Sequence, residues 1–131
     1  MMSARLTILF LLTLALIACA QTPPADSPQE REQLQVDPEV QFSMRVTELF
    51  EERLQQASGD SLLQIQFAVK ASSGARMAWK VTWFDADGRK IDSVGESYRE
   101  ASLLAGQTRY FTATAPHPDV VDYQLHLREP G

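Results

Sequence analysis

The sequence lacks several residue types that specific classes of protein need. It has 131 residues and one cysteine, Cys19, so no disulfide can form within the chain. Its two histidines, His117 and His126, leave a zinc site without the three or four ligands it needs, since no spare cysteine is available. The 12 Lys and Arg residues are scattered and outnumbered by 17 Asp and Glu, which gives a formal charge of −5. This balance excludes nucleic acid and anionic membrane faces as electrostatic partners.

A run of 20 apolar residues is also missing. The longest run, Leu6–Ala18, is broken only by threonines and follows Arg5. As a helix it would span about 20 Å, short of the ~30 Å hydrocarbon core of a bilayer. We therefore predict a cleaved secretory signal peptide over residues 1–18.

The apolar run ends in Leu16-Ile17-Ala18-Cys19, which resembles a bacterial lipobox. In proteins with this motif the Cys thiol is lipidated and becomes the new N-terminus. Fatty acyl chains such as palmitate contribute ~0.8 kcal/mol per buried CH₂, so two or more chains on Cys19 would anchor the protein stably. Ala20 lacks the Asp that favours inner-membrane retention, so we expect the periplasmic face of the outer membrane. The alternative is an ordinary signal peptide with an incidental cysteine.

Residues 19–39 are predicted to form a flexible linker after the lipidated Cys. The stretch Gln21–Glu39 contains four prolines and almost no large apolar side chains. Burial in such a segment does not offset the entropy of ordering it. The linker is either a stalk that holds the domain off the membrane or a junction without consequence.

Residues 40–131 are predicted to form one β-sandwich domain, organised around the strand that carries both tryptophans of the chain. Trp79 and Trp83 alternate with polar residues in a run that ends at Asp85 and Gly88, a pattern typical of a half-buried strand followed by a turn. The preceding strand is expected to pair with it as a hairpin across Ser72-Ser73-Gly74. The expected inward residues are Leu63, Ile65, Phe67, Val69, Trp79, Val81, Trp83, Phe111, Tyr123, Leu125 and Leu127.

Two other segments carry predictions of their own. The spacing of Val46, Leu49, Phe50, Arg53 and Leu54 slightly favours a helix over Phe42–Gln56, although a strand also fits. Val94–Gly106 is predicted to be a polar crossing.

The run from Trp79 to Gly88 resembles an aromatic-x-x-x-Trp-aromatic-Asp-x-x-Gly signature of the YcfL-like lipoproteins, a proteobacterial family of unassigned function. The resemblance covers about Val46 to Leu127. It implies an immunoglobulin-like antiparallel β-sandwich and an outer-membrane lipoprotein, and it makes Val46–Arg53 a strand. Some relatives are encoded beside a lipoprotein activator of a penicillin-binding protein, which implies a link to peptidoglycan synthesis.

We find no catalytic set and predict no metal or cofactor. Asp85, Asp87 and Gly88 are similar to the start of a calcium loop, but the downstream acidic ligand is missing at loop spacing. We predict a non-enzymatic interaction module that docks another envelope protein through a sheet face or a free edge strand. The alternative is a periplasmic ligand-binding or hydrolytic protein. A Ser-His-Asp relay remains open, because its members need not be adjacent in sequence.

Overall fold

The computed structural model describes residues 27–94 and 97–131. These residues fold into two β-sheets packed face to face, which confirms the predicted all-β sandwich. The lipobox residues Leu16, Ile17 and Ala18 and the lipidation candidate Cys19 lie outside the described residues. Among the described residues, no helix has the length and apolar character needed to cross a bilayer.

The strands are β1 Leu34–Val36, β2 Met44–Gln55, β3 Ser61–Ala71, β4 Ala75–Phe84, β5 Lys90–Ile91, β6 Arg99–Leu103, β7 Thr108–Thr114 and β8 Asp122–Arg128. The described residues begin with a 3-10 turn, Pro28–Glu30, and a one-turn helix, α1, Pro38–Gln41, follows β1. One sheet, sheet A, has the order β1-β8-β4-β5, with β6 pairing β4 on the same side as β5; the other, sheet B, has the order β2-β3-β7. All pairs are antiparallel except β1 with β8, which makes sheet A mixed.

The core lies between the two sheets and is built on the tryptophan strand, β4. The predicted inward residues are buried, apart from the partly buried Phe111. The indole of Trp79 meets the ring of Phe67 edge-on at 5.1 Å between centroids, and Phe111 stacks on Phe67 at 5.1 Å. Such aromatic pairs contribute about 0.5–1.5 kcal/mol each beyond the area they bury.

The predicted hairpin between β3 and β4 is wrong. β3 pairs with β2 and β7, while β4 pairs with β8, β6 and β5, so Ser72-Ser73-Gly74 crosses from one sheet to the other. These are the two most apolar strands of the chain. Facing each other across the core, they bury both apolar faces against one another, which side-by-side pairing would not do.

The helix that spacing slightly favoured over Phe42–Gln56 is also wrong, since this segment forms the strand β2. Val46 pairs with Val69 and Glu48 pairs with Ala68, which leaves Thr47 as the extra residue of a β-bulge. The bulge puts Val46 and Leu49 on the same face, three residues apart, and this spacing imitates a helix.

The flexible linker predicted over residues 19–39 is wrong for residues 27–39, the part of it that the structure describes. Residues 27–39 contain the 3-10 turn and β1, and Leu34 of β1 is buried in the core. The polar crossing Val94–Gly106 is wrong in part, because it contains β6. Ala101 and Leu103 of β6 are buried, although the strand is too short and polar to show clear alternation.

Candidate functional site

One side of the sandwich, between β4 in sheet A and β7 in sheet B, is open. On this side of β4, β6 pairs with residues 75–79 and β5 pairs with residues 83–84. Residues 80–82 of β4 therefore have no paired strand there among the described residues. Ser93, Val94 and Ser97, from the described part of the connection between β5 and β6, line a cleft at this point.

The opening forms a cleft of about 420 Å³, here called the β7 cleft. Its size falls in the range of ligand-binding pockets, and it opens to solvent along one side. Trp79 and Trp83 form its inner wall, at 5% and 4% exposure. The other lining residues are Lys80, Val81, Ser93, Val94, Ser97, Arg99, Thr112, Ala113, Thr114 and Pro116.

Two arginines lie along the same opening. Arg99 continues the inward face of β6, and its guanidinium lies 5.3 Å from the Trp79 ring centroid. Arg109 of β7 lies 5.2 Å from the Phe111 ring and donates a 3.0 Å hydrogen bond to the Ser102 carbonyl. Arg109 thus joins β7 to β6 at one end of the opening, while the cleft remains open at the other.

The free edge of β7 presents backbone hydrogen-bonding groups to this opening. The Ala115 amide donates to Leu63, and the Ala71 amide donates to Gln107, so the odd-numbered residues of β7 face β3. In an antiparallel ladder, the alternate residues face the other way. The N–H and C=O groups of Tyr110, Thr112 and Thr114 therefore point to the free edge, where an added strand would pair.

The other edge of sheet B, β2, is protected. Side chains of the N-terminal segment cover its backbone, since Gln29 donates to the Val46 carbonyl and Arg31 donates to the Leu49 carbonyl at 2.9 Å. The bulge at Thr47 further disrupts this edge. Bulges, charges and covering segments are the usual devices that block strand addition.

A polar cluster ties the same N-terminal segment to both sheets. Tyr123 of β8 donates a 2.7 Å hydrogen bond to the Glu51 carboxylate of β2, which also pairs with Arg31. Burial raises the pKa of Tyr123 above the ordinary tyrosine value, and the hydrogen bond to Glu51 raises it further, because both favour the neutral phenol. Nearby, Arg53 donates to the Val120 carbonyl at 2.8 Å.

A second constellation, here called the outer-face cluster, lies on the solvent side of sheet A and consists of Asp37, Lys80, Tyr98, His126 and Arg128. The Tyr98 hydroxyl lies 2.6 Å from His126 Nδ1, and His126 Nε2 lies 2.8 Å from Asp37 Oδ1. The Arg128 guanidinium lies 3.6 Å from the centre of the Tyr98 ring, and Lys80 Nζ lies 5.3 Å from it. His126 lies on this outward face because its neighbours Leu125 and Leu127 point into the core.

The outer-face cluster has the connectivity of a hydroxyl-imidazole-carboxylate relay. The hydroxyl of this cluster belongs to a tyrosine rather than a serine, and the Arg128 guanidinium covers one face of the Tyr98 ring. The same contacts also hold the segment around Tyr98, and the residue after β1, against sheet A. His117 is separate: it lies in an exposed loop and accepts a hydrogen bond from the Asp119 amide.

The model of the family DUF1425, described as a protein of unknown function, matches residues 34–129. The chain belongs to the DUF1425 family. No curated protein matches it. The YcfL-like resemblance agrees with a small family of unassigned function, and that name remains a prediction.

Two solved structures share the fold of this DUF1425 chain. The crystal structure of cj0090 from Campylobacter jejuni is 19% identical, with a TM-score of 0.63 over 76% of this chain and 100% of that one. A DUF1425 family member from Shewanella sp. PV-4 is 22% identical, with a TM-score of 0.53 over 66% of this chain and 76% of that one. At these identities the likeness shows the fold alone.

The signature residues of this DUF1425 chain separate into two places. Trp79 and Trp83 line the β7 cleft, whereas Asp85 and Gly88 form the turn after β4. The Asp85 carboxylate accepts hydrogen bonds of 2.9 Å from the amides of Asp87 and Arg89, and Gly88 has a φ of 79°. This is the predicted turn chemistry. The described residues contain no group of three or more His, Cys, Asp or Glu arranged to hold a metal.

Sequence patterns did not reveal the other residues of these sites. Tyr98 and Asp37 are 28 and 89 positions from His126, and they meet it only because β1 and the segment before β6 flank the same sheet. Arg99 and Thr112 reach the cleft from different strands.

Proposed function

We propose that this DUF1425 protein is a non-enzymatic interaction module. A lipid on Cys19 would hold it at the periplasmic face of the outer membrane. It would dock another envelope protein through the free edge of β7. The observation that supports docking is the difference between the two edges of sheet B: β2 is bulged and covered, whereas Tyr110, Thr112 and Thr114 present free backbone groups beside an open cleft.

The anchoring part of the proposal is supported by the lipobox-like run that ends at Cys19. Cys19→Ser is expected to release the protein from membranes or to block its processing, which membrane fractionation and the mass of the mature chain would report. Unchanged fractionation and cleavage would contradict lipidation. Ala20→Asp tests which membrane the lipoprotein reaches, and it should move the protein to the inner-membrane fraction.

The docking part is tested by photo-crosslinking in living cells. The two edge strands of sheet B offer a matched pair of exposed aromatic positions, Tyr110 on β7 at 58% exposure and Phe50 on β2 at 60%. Each would be replaced by p-benzoylphenylalanine in the intact lipoprotein. We expect adducts with an envelope protein from position 110 and few from position 50. The implied link to peptidoglycan synthesis makes penicillin-binding proteins and their activators the first partners to look for.

A hydrolytic role is the second candidate, because the outer-face cluster has the Tyr98–His126–Asp37 connectivity of a relay. If it acts as a relay, the purified chain should hydrolyse an activated ester such as p-nitrophenyl acetate, and Tyr98→Phe and His126→Gln should each abolish that rate. Hydrolysis at the buffer rate would exclude this activity for activated esters. Hydrolysis that both variants retain would show that the cluster is not its source.

A further inference from the structure

The β7 cleft differs in charge from the protein as a whole. The chain carries a formal charge of −5, yet the charged side chain that the described lining residues turn toward the cleft is Arg99. Lys80 also lines the cleft, but its ammonium lies over Tyr98 on the outer face of sheet A. A concave site with a cation beside aromatic rings favours an anionic occupant, even when the molecule around it is acidic.

Arg99 is available to such an occupant. It is exposed, its guanidinium packs on Trp79, and it makes no ion pair with the described residues. By contrast, Arg76 of β4 pairs with Glu100, and Arg31 at the opposite edge of sheet B pairs with Glu51. A guanidinium that packs beside an indole without an ion pair still has N–H donors for a carboxylate.

The free edge of β7 adds a directional requirement. From Tyr110 to Thr114, every second residue offers an N–H and a C=O to the cleft side. Only an extended chain satisfies such a row, because its own groups repeat at the same spacing. The occupant that meets both requirements is a peptide segment in β conformation that carries a carboxylate.

We infer that the β7 cleft binds an extended, acidic segment of a partner protein. The segment adds to sheet B as a fourth strand beyond β7, and Arg99 binds one of its carboxylates. This inference rests on the proposed docking function and specifies its site and the chemistry of its partner. A second copy of this chain would have to offer its acidic strand β2, and Gln29 and Arg31 already cover that edge.

The test uses the intact lipoprotein in cells with p-benzoylphenylalanine at position 110, combined with two pairs of variants. Thr112→Pro removes an N–H that faces the free edge, so the pairing with β3 is kept while an added strand is blocked. Gln55→Pro is its control on β2, where the alternation set by the Gln56–Asp60 hydrogen bond also points residue 55 to the free edge. Arg99→Gln removes the cation, and Arg76→Gln is the control for loss of an exposed arginine.

We expect Thr112→Pro to lower the adduct yield about tenfold and Arg99→Gln about fivefold, the sizes expected for lost backbone pairing and one charge-assisted hydrogen bond. Both controls should leave the yield unchanged. Tandem mass spectrometry of the adduct should identify a segment that contains Asp or Glu. Circular dichroism of each variant checks folding, and Arg99→Gln still decides the question if Thr112→Pro fails to fold.

The other outcomes each overturn a defined claim. Adducts from position 110 that neither Thr112→Pro nor Arg99→Gln reduces would overturn this inference while leaving the docking function in place. Adducts with a second copy of the chain, with a glycan strand, or with a segment lacking acidic residues would also overturn it. An absence of adducts from both positions 110 and 50 would overturn the docking function itself.

Discussion

Deleting Thr47 from the middle of β2 is expected to leave the fold intact, which is unusual for a residue inside a strand. Val46 lies opposite Val69 and Glu48 opposite Ala68, so Thr47 has no partner residue on β3. Without it, the pairs on either side follow one another in a regular ladder. Met44, Val46 and Leu49 then keep their inward positions, because the deletion removes the bulge and not a step of the register.

The matched control is a deletion of Gln66 from β3. Gln66 is exposed like Thr47, but it pairs with Phe50 on one side and Thr112 on the other. Its loss would turn one half of β3 over, for example by moving Leu63 and Ile65 from the core to solvent. At about 1.5–3 kcal/mol for each large side chain, this costs ~3–6 kcal/mol. A domain with a total stability of about 5–15 kcal/mol would be largely unfolded.

Urea unfolding followed by tryptophan fluorescence distinguishes the two deletions. Both deletion variants also carry Cys19→Ser, so that no lipid is attached to the protein that is unfolded. We expect the deletion of Thr47 to change the free energy of unfolding by less than about 1.5 kcal/mol, the cost of losing the local bend. At an m-value of ~1.5 kcal/mol/M, the midpoint would move by less than about 1 M. If both deletions unfold the chain equally, the assignment of Thr47 as a bulge without a register role is refuted.

Three further predictions concern the core, the buried tyrosine and the turn after β4. Trp79→Ala should lower the free energy of unfolding in urea by about 3–5 kcal/mol, because it empties a buried site between the sheets. Phe50→Ala, at an exposed position, should lower it by less than about 0.5 kcal/mol, and equal losses would contradict the packing. The pKa of Tyr123 is raised in the folded state, so Tyr123 stabilises the fold fully below about pH 10 and progressively less above that pH, where the tyrosine of the unfolded chain ionises. Tyr123→Phe should therefore reduce the fall of the urea midpoint with rising alkaline pH, and an unchanged fall would contradict this. Gly88→Ala should lower the thermal midpoint by the equivalent of about 1–2 kcal/mol, since Gly88 has a positive φ. Gly74 has no positive φ, and an added Cβ would lie 3.9 Å from the Leu103 carbonyl oxygen, an ordinary van der Waals contact, so Gly74→Ala should be neutral or slightly stabilising; the reverse order would contradict the turn geometry.

The residues that point into the core could be read from the sequence alone. Trp79, Trp83 and Leu125 alternate with polar residues, and alternation is a local property that each strand carries by itself. The turn from Asp85 to Gly88 was equally local, since an Asp that bonds amides two and four residues ahead needs no distant partner.

Which strands lie side by side was decided only by the tertiary structure. β3 and β4 follow each other at hairpin distance, yet they face each other across the core, because two strongly apolar strands bury more surface face to face than in one sheet. The bulge at Thr47 became visible only against β3, since a bulge is defined by a mismatch between two strands.

The candidate sites also divide into one that is local in the sequence and others that only the tertiary structure assembles. The lipobox before Cys19 is a contiguous motif and was predicted from sequence, and it remains a prediction. The β7 cleft and the Tyr98–His126–Asp37 contacts are assembled from strands far apart in the chain. A single sequence encodes the pattern along each strand, but the neighbours of a strand depend on how all apolar faces are buried together, and that arrangement exists only in the folded chain.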